Sequence, residues 1–158
     1  MVNLEKVLVL GIGNYLMGDE GVGVHCIHKL KKIKLPDNVE VVDGGTGGFH
    51  LLSYLSDNKI IIMIDATMDG KEEGQVCVIQ PKFASDFPRA LSAHDIGLRD
   101  LVESAVITGK LPKIYLIVIS ISSVQNMEIN LSLKVNNSIP VVIDKVKEII
   151  EFIHNSAG

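Results

Sequence analysis

Cysteine is scarce in this chain of 158 residues, which has only Cys26 and Cys77. The two are far apart and form no metal-type pair, so buried thiols are expected rather than a disulfide or a zinc site. A basic tract is also missing. Lys and Arg number 15 against 19 Asp and Glu, for a net charge of −4, which argues against nucleic acid as the main partner. The longest nearly apolar runs, residues 60–64 and 114–119, fall far short of the ~20 residues needed to cross a bilayer. No export signal is visible at the start, where Glu5 and Lys6 interrupt the apolar residues. The expectation is a cytoplasmic protein with neither nucleic acid nor membrane as partner.

Familiar hydrolase signatures are absent as well. There is no His-Glu-x-x-His and no Gly-x-Ser-x-Gly, and neither cysteine lies in a nucleophile motif. Ser120, Ser122 and Ser123 follow an expected strand without any triad signature. Nucleophilic serine or cysteine catalysis is therefore disfavoured. The composition that remains, 47% apolar and 22% charged, is that of a globular protein. The length fits one domain, 1–158, able to bury about two-thirds of its unfolded surface.

What is present centres on Gly11-Ile-Gly13-Asn14-Tyr15-Leu16-Met17-Gly18-Asp19-Glu20-Gly21-Val22-Gly23. Five glycines in these thirteen residues allow tight turning and close backbone approach. An apolar run precedes the stretch and a helical pattern follows it, as in a dinucleotide-binding turn. The match is incomplete: Leu16 stands where the third glycine belongs, so the close helix–strand packing that glycine permits should be missing. Asp19 and Glu20 would also compete with a phosphate for the helix N-terminus.

Apolar runs predict buried strands at 7–10 and 59–64; a second short strand is expected at 39–42, a last long one at 113–122 from its β-branched residues, and a more exposed, edge-type strand at 75–80. The segment 59–64 is expected to stop at Asp65. Helical spacing predicts helices at 19–33, 49–55 and 95–107, and a final one beginning at Ser138-Ile139-Pro140. Residues 81–91 read as irregular, and 123–137 show no dominant period. This alternation implies an α/β fold, a three-layer α/β/α sandwich around a mostly parallel twisted sheet of about five strands.

Ligands of such sheets bind beyond the carboxyl ends of the strands. That rule selects Asp19 and Glu20 after the first strand, Asp43 after the second and Asp65 after the third. His94 joins them if the helix that follows it leads into a parallel strand. Glu20, Asp65 and His94 on one rim would suit a divalent transition ion. Each also has a plain structural role open to it: Glu20 as a helix-terminus charge, Asp65 as a turn cap, His94 as a partly buried, hydrogen-bonded ring. The pair His25 and His28 fits a solvated helix face better than a metal grip.

The motif Gly13-Asn14-x-Leu16-x-Gly18-Asp19-Glu20-Gly21-x-Gly23 resembles the opening motif of the hydrogenase maturation endopeptidases. The resemblance continues through Asp43-Gly44-Gly45-Thr46, Ile64-Asp65-Ala66 and Ser92-Ala93-His94-Asp95-Ile96-Gly97-Leu98, roughly residues 5–122. It implies an endopeptidase that trims the C-terminal extension from the nickel-loaded large-subunit precursor of a nickel–iron hydrogenase. It further implies that Glu20, Asp65 and His94 are the metal-binding and catalytic residues, that Asp43 belongs to a structural glycine turn, and that Asp19 holds the loop. Nickel is then expected to be presented by the precursor, which is also the expected partner, rather than to be permanently bound. A nucleotide-binding module and a non-catalytic checkpoint protein docking on the precursor are the competing readings.

Overall fold

The computed structural model describes residues 4–48, 50–88, 98–109 and 111–156. Five strands form one sheet: β1 (Val7–Gly11), β2 (Val39–Asp43), β3 (Ile60–Thr67), β4 (Val76–Ile79) and β5 (Lys113–Ser120). Their order is β2-β1-β3-β5-β4, all neighbours parallel except the antiparallel β4–β5 pair at one edge. Among the described residues four helices cover the sheet: α1 (Val22–Leu30), α2 (His50–Asp57), α3 (Leu98–Thr108) and α4 (Leu133–Ser156). This is the expected three-layer arrangement, with the exposed-type strand at the edge.

The layers follow from side-chain alternation along the strands. Val7, Val9, Ile62, Ile64, Ile117 and Ile119 face α1 and α4, whereas Leu8, Leu10, Ile61, Met63, Leu116 and Val118 face α2 and α3. Strands buried on both faces need apolar residues at every position, which is why they read as continuous runs. Each fully buried isoleucine or leucine contributes about 1.5–3 kcal/mol by leaving water.

Several boundaries differ from the sequence reading. Strand β3 does not stop at Asp65; it continues to Thr67 because β5 carries the ladder on, with Asp65 opposite Val118 and Thr67 opposite Ser120. The first helix starts at Val22 rather than at residue 19, since Gly18–Gly21 forms a separate 3-10 turn. Pro140 suggested a helix start, yet α4 already begins at Leu133, with Val135 and Ile139 buried against the sheet. Packing of that first stretch offsets the hydrogen bond that an interior proline forfeits. Helix α3 begins at Leu98, and the expected residues 95–97 lie outside the described part. Among the described residues no helix is long and apolar enough to cross a membrane.

The close helix–strand packing judged missing from the glycine motif exists, supplied by other glycines. A Cβ on Gly23 would come within 2.5 Å of both Ile12 O and Ile64 O, and one on Gly11 within 2.5 Å of Gly23 O. Helix α1 therefore starts in direct backbone contact with the ends of β1 and β3. Gly23→Ala should destabilise the fold by about 1–3 kcal/mol, because backbone on both sides must shift. Urea unfolding of the variant checks this; an unchanged midpoint would show that α1 is not seated by this contact.

Candidate active site at the carboxyl edge of the sheet

The ends of the three adjacent parallel strands are tied together. Gly11 lies opposite both Asp43 and Ile64. Beyond it, Ile12 N donates to Ile64 O at 2.9 Å, Gly44 N to Gly11 O at 2.8 Å and Gly13 N to Gly45 O at 2.8 Å. The chain then loops back, and the 3-10 turn Gly18–Gly21 packs against the end of β3. Glu20 sits on that turn and Asp65 on that strand, each only 9% exposed. The sheet thus brings the two expected carboxylates to one edge.

Local hydrogen bonds orient both groups. Glu20 Oε2 accepts the Asn14 N–H at 2.6 Å, across the loop, a short distance typical of a charge-assisted bond. Asp65 Oδ1 accepts the N–H of Ala66 at 2.8 Å. Two carboxylates held at low exposure offer oxygen donors of the kind a divalent ion takes. His94 lies outside the described residues. Among those described, no three His, Cys, Asp or Glu side chains are grouped to hold a metal ion.

Asp19 behaves as a structural anchor. It is fully buried, its Oδ1 accepts Ser132 N at 2.7 Å, and its own N–H donates to Gln125 Oε1 at 2.9 Å. Gly18 N donates to Glu128 O at 2.6 Å and Glu128 N to Leu16 O at 3.0 Å. Residues 123–132 therefore form a strap across the loop that carries Glu20. Sequence reasoning missed Gln125 and Ser132, and no local pattern marks them, since their partner lies more than a hundred positions away.

Asp43 is exposed and supports a turn, its Oδ1 accepting the Gly45 N–H at 2.8 Å and its Oδ2 lying 3.6 Å from His28 Nε2. The ring of Tyr15 packs on His25 and His28, with centroids 4.7 and 5.3 Å apart, and His25 Nε2 lies 3.0 Å from Ile129 O. Both histidines are thus engaged in holding the outer side of the loop.

The loop amides decide against a phosphate cradle. A nucleotide-binding turn needs free N–H groups aimed at the ligand. Here the N–H groups of Gly13, Asn14, Gly18 and Asp19 are all taken by protein oxygens. Glu20 occupies the place where an anion would sit. A nucleotide would have to displace a carboxylate to enter.

A protein-family model described as hydrogenase maturation protease matches residues 24–149, which extends the likeness into α4. The hydrogenase 2 maturation protease of Escherichia coli is 35% identical over 111 residues, covering 68% of each chain. The hydrogenase expression/formation protein HupD of Bradyrhizobium diazoefficiens is 35% identical over 114 residues, or 69% of this chain. The match spans little more than half of the HupD relatives, 58% of that one and 53% of the Rhodobacter capsulatus protein. Among solved structures, the hydrogenase maturating endopeptidase HybD from E. coli superposes with a TM-score of 0.82 at 30% identity over 92% of both chains. A Thermococcus kodakarensis maturation protease, at 22% identity and a TM-score of 0.73, shares the fold.

The histidine cluster has a measurable pH signature. Burial pushes the His25 pKa below its ordinary value, with the neighbouring His28 acting in the same direction; Ile129 O and the Asp19 charge oppose them. A histidine whose folded pKa is lowered stabilises the protein above its unfolded pKa of about 6.5, and that stability is lost as pH falls through the folded value. Chemical unfolding from pH 7.5 down to 5 should therefore show a loss that is smaller in His25→Gln. Parallel profiles for the two proteins would assign the pH dependence elsewhere.

Proposed function

We propose that this chain, which belongs to the hydrogenase maturation protease family, is an endopeptidase acting on the nickel-loaded large-subunit precursor of a nickel–iron hydrogenase and removing its C-terminal extension. The observation that supports the reading is that Glu20 and Asp65, both nearly buried, lie on elements in contact at one edge of a mostly parallel sheet. The family supplies the chemistry to which such a pair would be put.

Glu20, Asp65 and His94 would take the precursor's nickel as three oxygen and nitrogen donors. That donor set suits a borderline ion whose remaining positions are filled by the substrate. When bound, the ion supplies Lewis acidity toward the scissile carbonyl. The chain's own contribution is positional and electrostatic. Asn14 N–H holds one Glu20 oxygen in a fixed direction, and the strap keeps the loop seated on β3. A carboxylate on this edge serves to accept the proton of the attacking water. Neither a serine nor a cysteine nucleophile enters the scheme.

Glu20→Gln, Asp65→Asn and His94→Ala should each slow processing of nickel-loaded precursor by about 100-fold or more. Their melting temperatures should stay within a few degrees of the parent, because Glu20 and Asp65 lie at the sheet edge rather than in the apolar clusters. Asp43→Asn, which alters only a turn, should keep most of the rate. Intact-mass measurement of the released precursor reads all four. Wild-type processing by the first three variants would remove this constellation from the mechanism.

A further inference from the structure

A groove of about 350 Å³ opens beside the candidate site, between the β4–β5 ribbon and residues 86–88 with Arg99. Its floor includes Cys77, Ile79 and Val118, its far wall Phe87 and Arg99, and one end is Thr67. Thr67 lies two positions beyond Asp65 on the same strand and points to the same face. The register makes the connection quantitative. Asp65 lies opposite Val118, and Val118 opposite Cys77. Two strand spacings, about 10 Å, therefore separate Asp65 from Cys77, and a strand added outside β4 lies one spacing further, about 15 Å from Asp65, a distance that about five extended residues cover.

The edge beside this groove is open to pairing. Among the described residues β4 has a neighbour on one side only. Ser120 N donates to Gln75 O, so the alternation of an antiparallel ladder turns the N–H and C=O of Val76 and Val78 outward. Edge strands usually carry charges that discourage another chain. The opposite edge does: β2 contains Glu40, paired with Lys6, and Asp43. β4 reads Val-Cys-Val-Ile, without a charge. The groove's polar lining has both signs, Lys71 and Arg99 against Asp69 and Asp86, which gives no net pull on a phosphate or a lone cation. Peptide main chain suits both features, since an added strand pairs with the edge and drops alternate side chains into a pocket.

We propose that the segment of the precursor beside its scissile bond binds extended along β4, its side chains entering this groove and its end reaching Asp65. The proposal rests on the endopeptidase reading and specifies where that substrate lies. It assigns a binding role to Val78 and to the surface around Cys77, neither of which touches the carboxylates.

The chain carries its own probe. Cys26 is buried, and burial pushes its thiol up to about 12, so it resists alkylation, whereas Cys77 is partly exposed in the groove. Excess nickel-loaded precursor should slow maleimide labelling of Cys77 roughly tenfold at about ten times its Kd. The Cys77 adduct should raise KM for the precursor with little change in kcat, and Cys77→Ala exposed to the same reagent should not. Val78→Pro removes one outward N–H, a change edge strands tolerate, and should raise KM roughly fivefold with the melting temperature nearly unchanged. If unmodified protein cleaves the precursor while labelling is unprotected and both altered proteins keep the parental KM, the groove is not the substrate site, although the endopeptidase reading survives. If unmodified protein leaves the nickel-loaded precursor intact, the reading and the groove fall together.

Discussion

The first turn of α1 rests directly on backbone, and the carboxyl edge of the molecule is arranged around that contact. Position 23 lies against the carbonyls of Ile12 and Ile64, and only a residue without a side chain fits between them. Once α1 is seated there, the chain between Gly13 and Gly21 has to fold back over the end of β3. That return path brings Glu20 beside the strand bearing Asp65. The same requirement explains a motif dense in glycine without a phosphate to cradle, since its glycines permit backbone-to-backbone approach rather than ligand approach.

A loop so compact must satisfy its own polar groups. Most of them are met: the Gln125 side chain accepts the Asp19 N–H, the Ser132 backbone N–H donates to Asp19 Oδ1, and Glu20 itself closes the Asn14 amide, while Asp19 Oδ2 is left buried without a hydrogen bond among the described residues. Buried donors left unpaired would each cost about 1–3 kcal/mol. Satisfying them stiffens the loop, so the Glu20 carboxylate is held in direction before any substrate arrives. Preorganisation of this kind is what a site needs in order to act on charge that develops during a reaction.

The centre of the sheet was legible because its strands are buried on both faces, and such strands announce themselves as apolar runs; residues 7–10 and 60–64 fall inside observed strands. Where tertiary contacts override local pattern, the reading went astray. Asp65 looked like a strand terminator, yet the partner strand extends past it. Pro140 looked like a helix start, yet seven residues before it are already helical. Leu16 in place of a glycine pointed to a lack of close helix–strand packing, yet Gly11 and Gly23 supply it. Glu20 and Asp65 were legible from the rule that sites lie beyond strand ends. Their support from Gln125 and Ser132 was not, because hydrogen bonds spanning more than a hundred positions leave no local periodicity.

Under the proposed function, the two oriented carboxylates, together with His94, would recognise an ion brought by the substrate, which would couple metal insertion and peptide cleavage through one set of residues. The most direct measurement is to incubate the protein with nickel-loaded and with apo large-subunit precursor at equal concentration and follow the C-terminal extension by intact mass. The coupling requires that the loaded precursor lose its extension while the apo form stays whole. Cleavage of both at the same rate would contradict it.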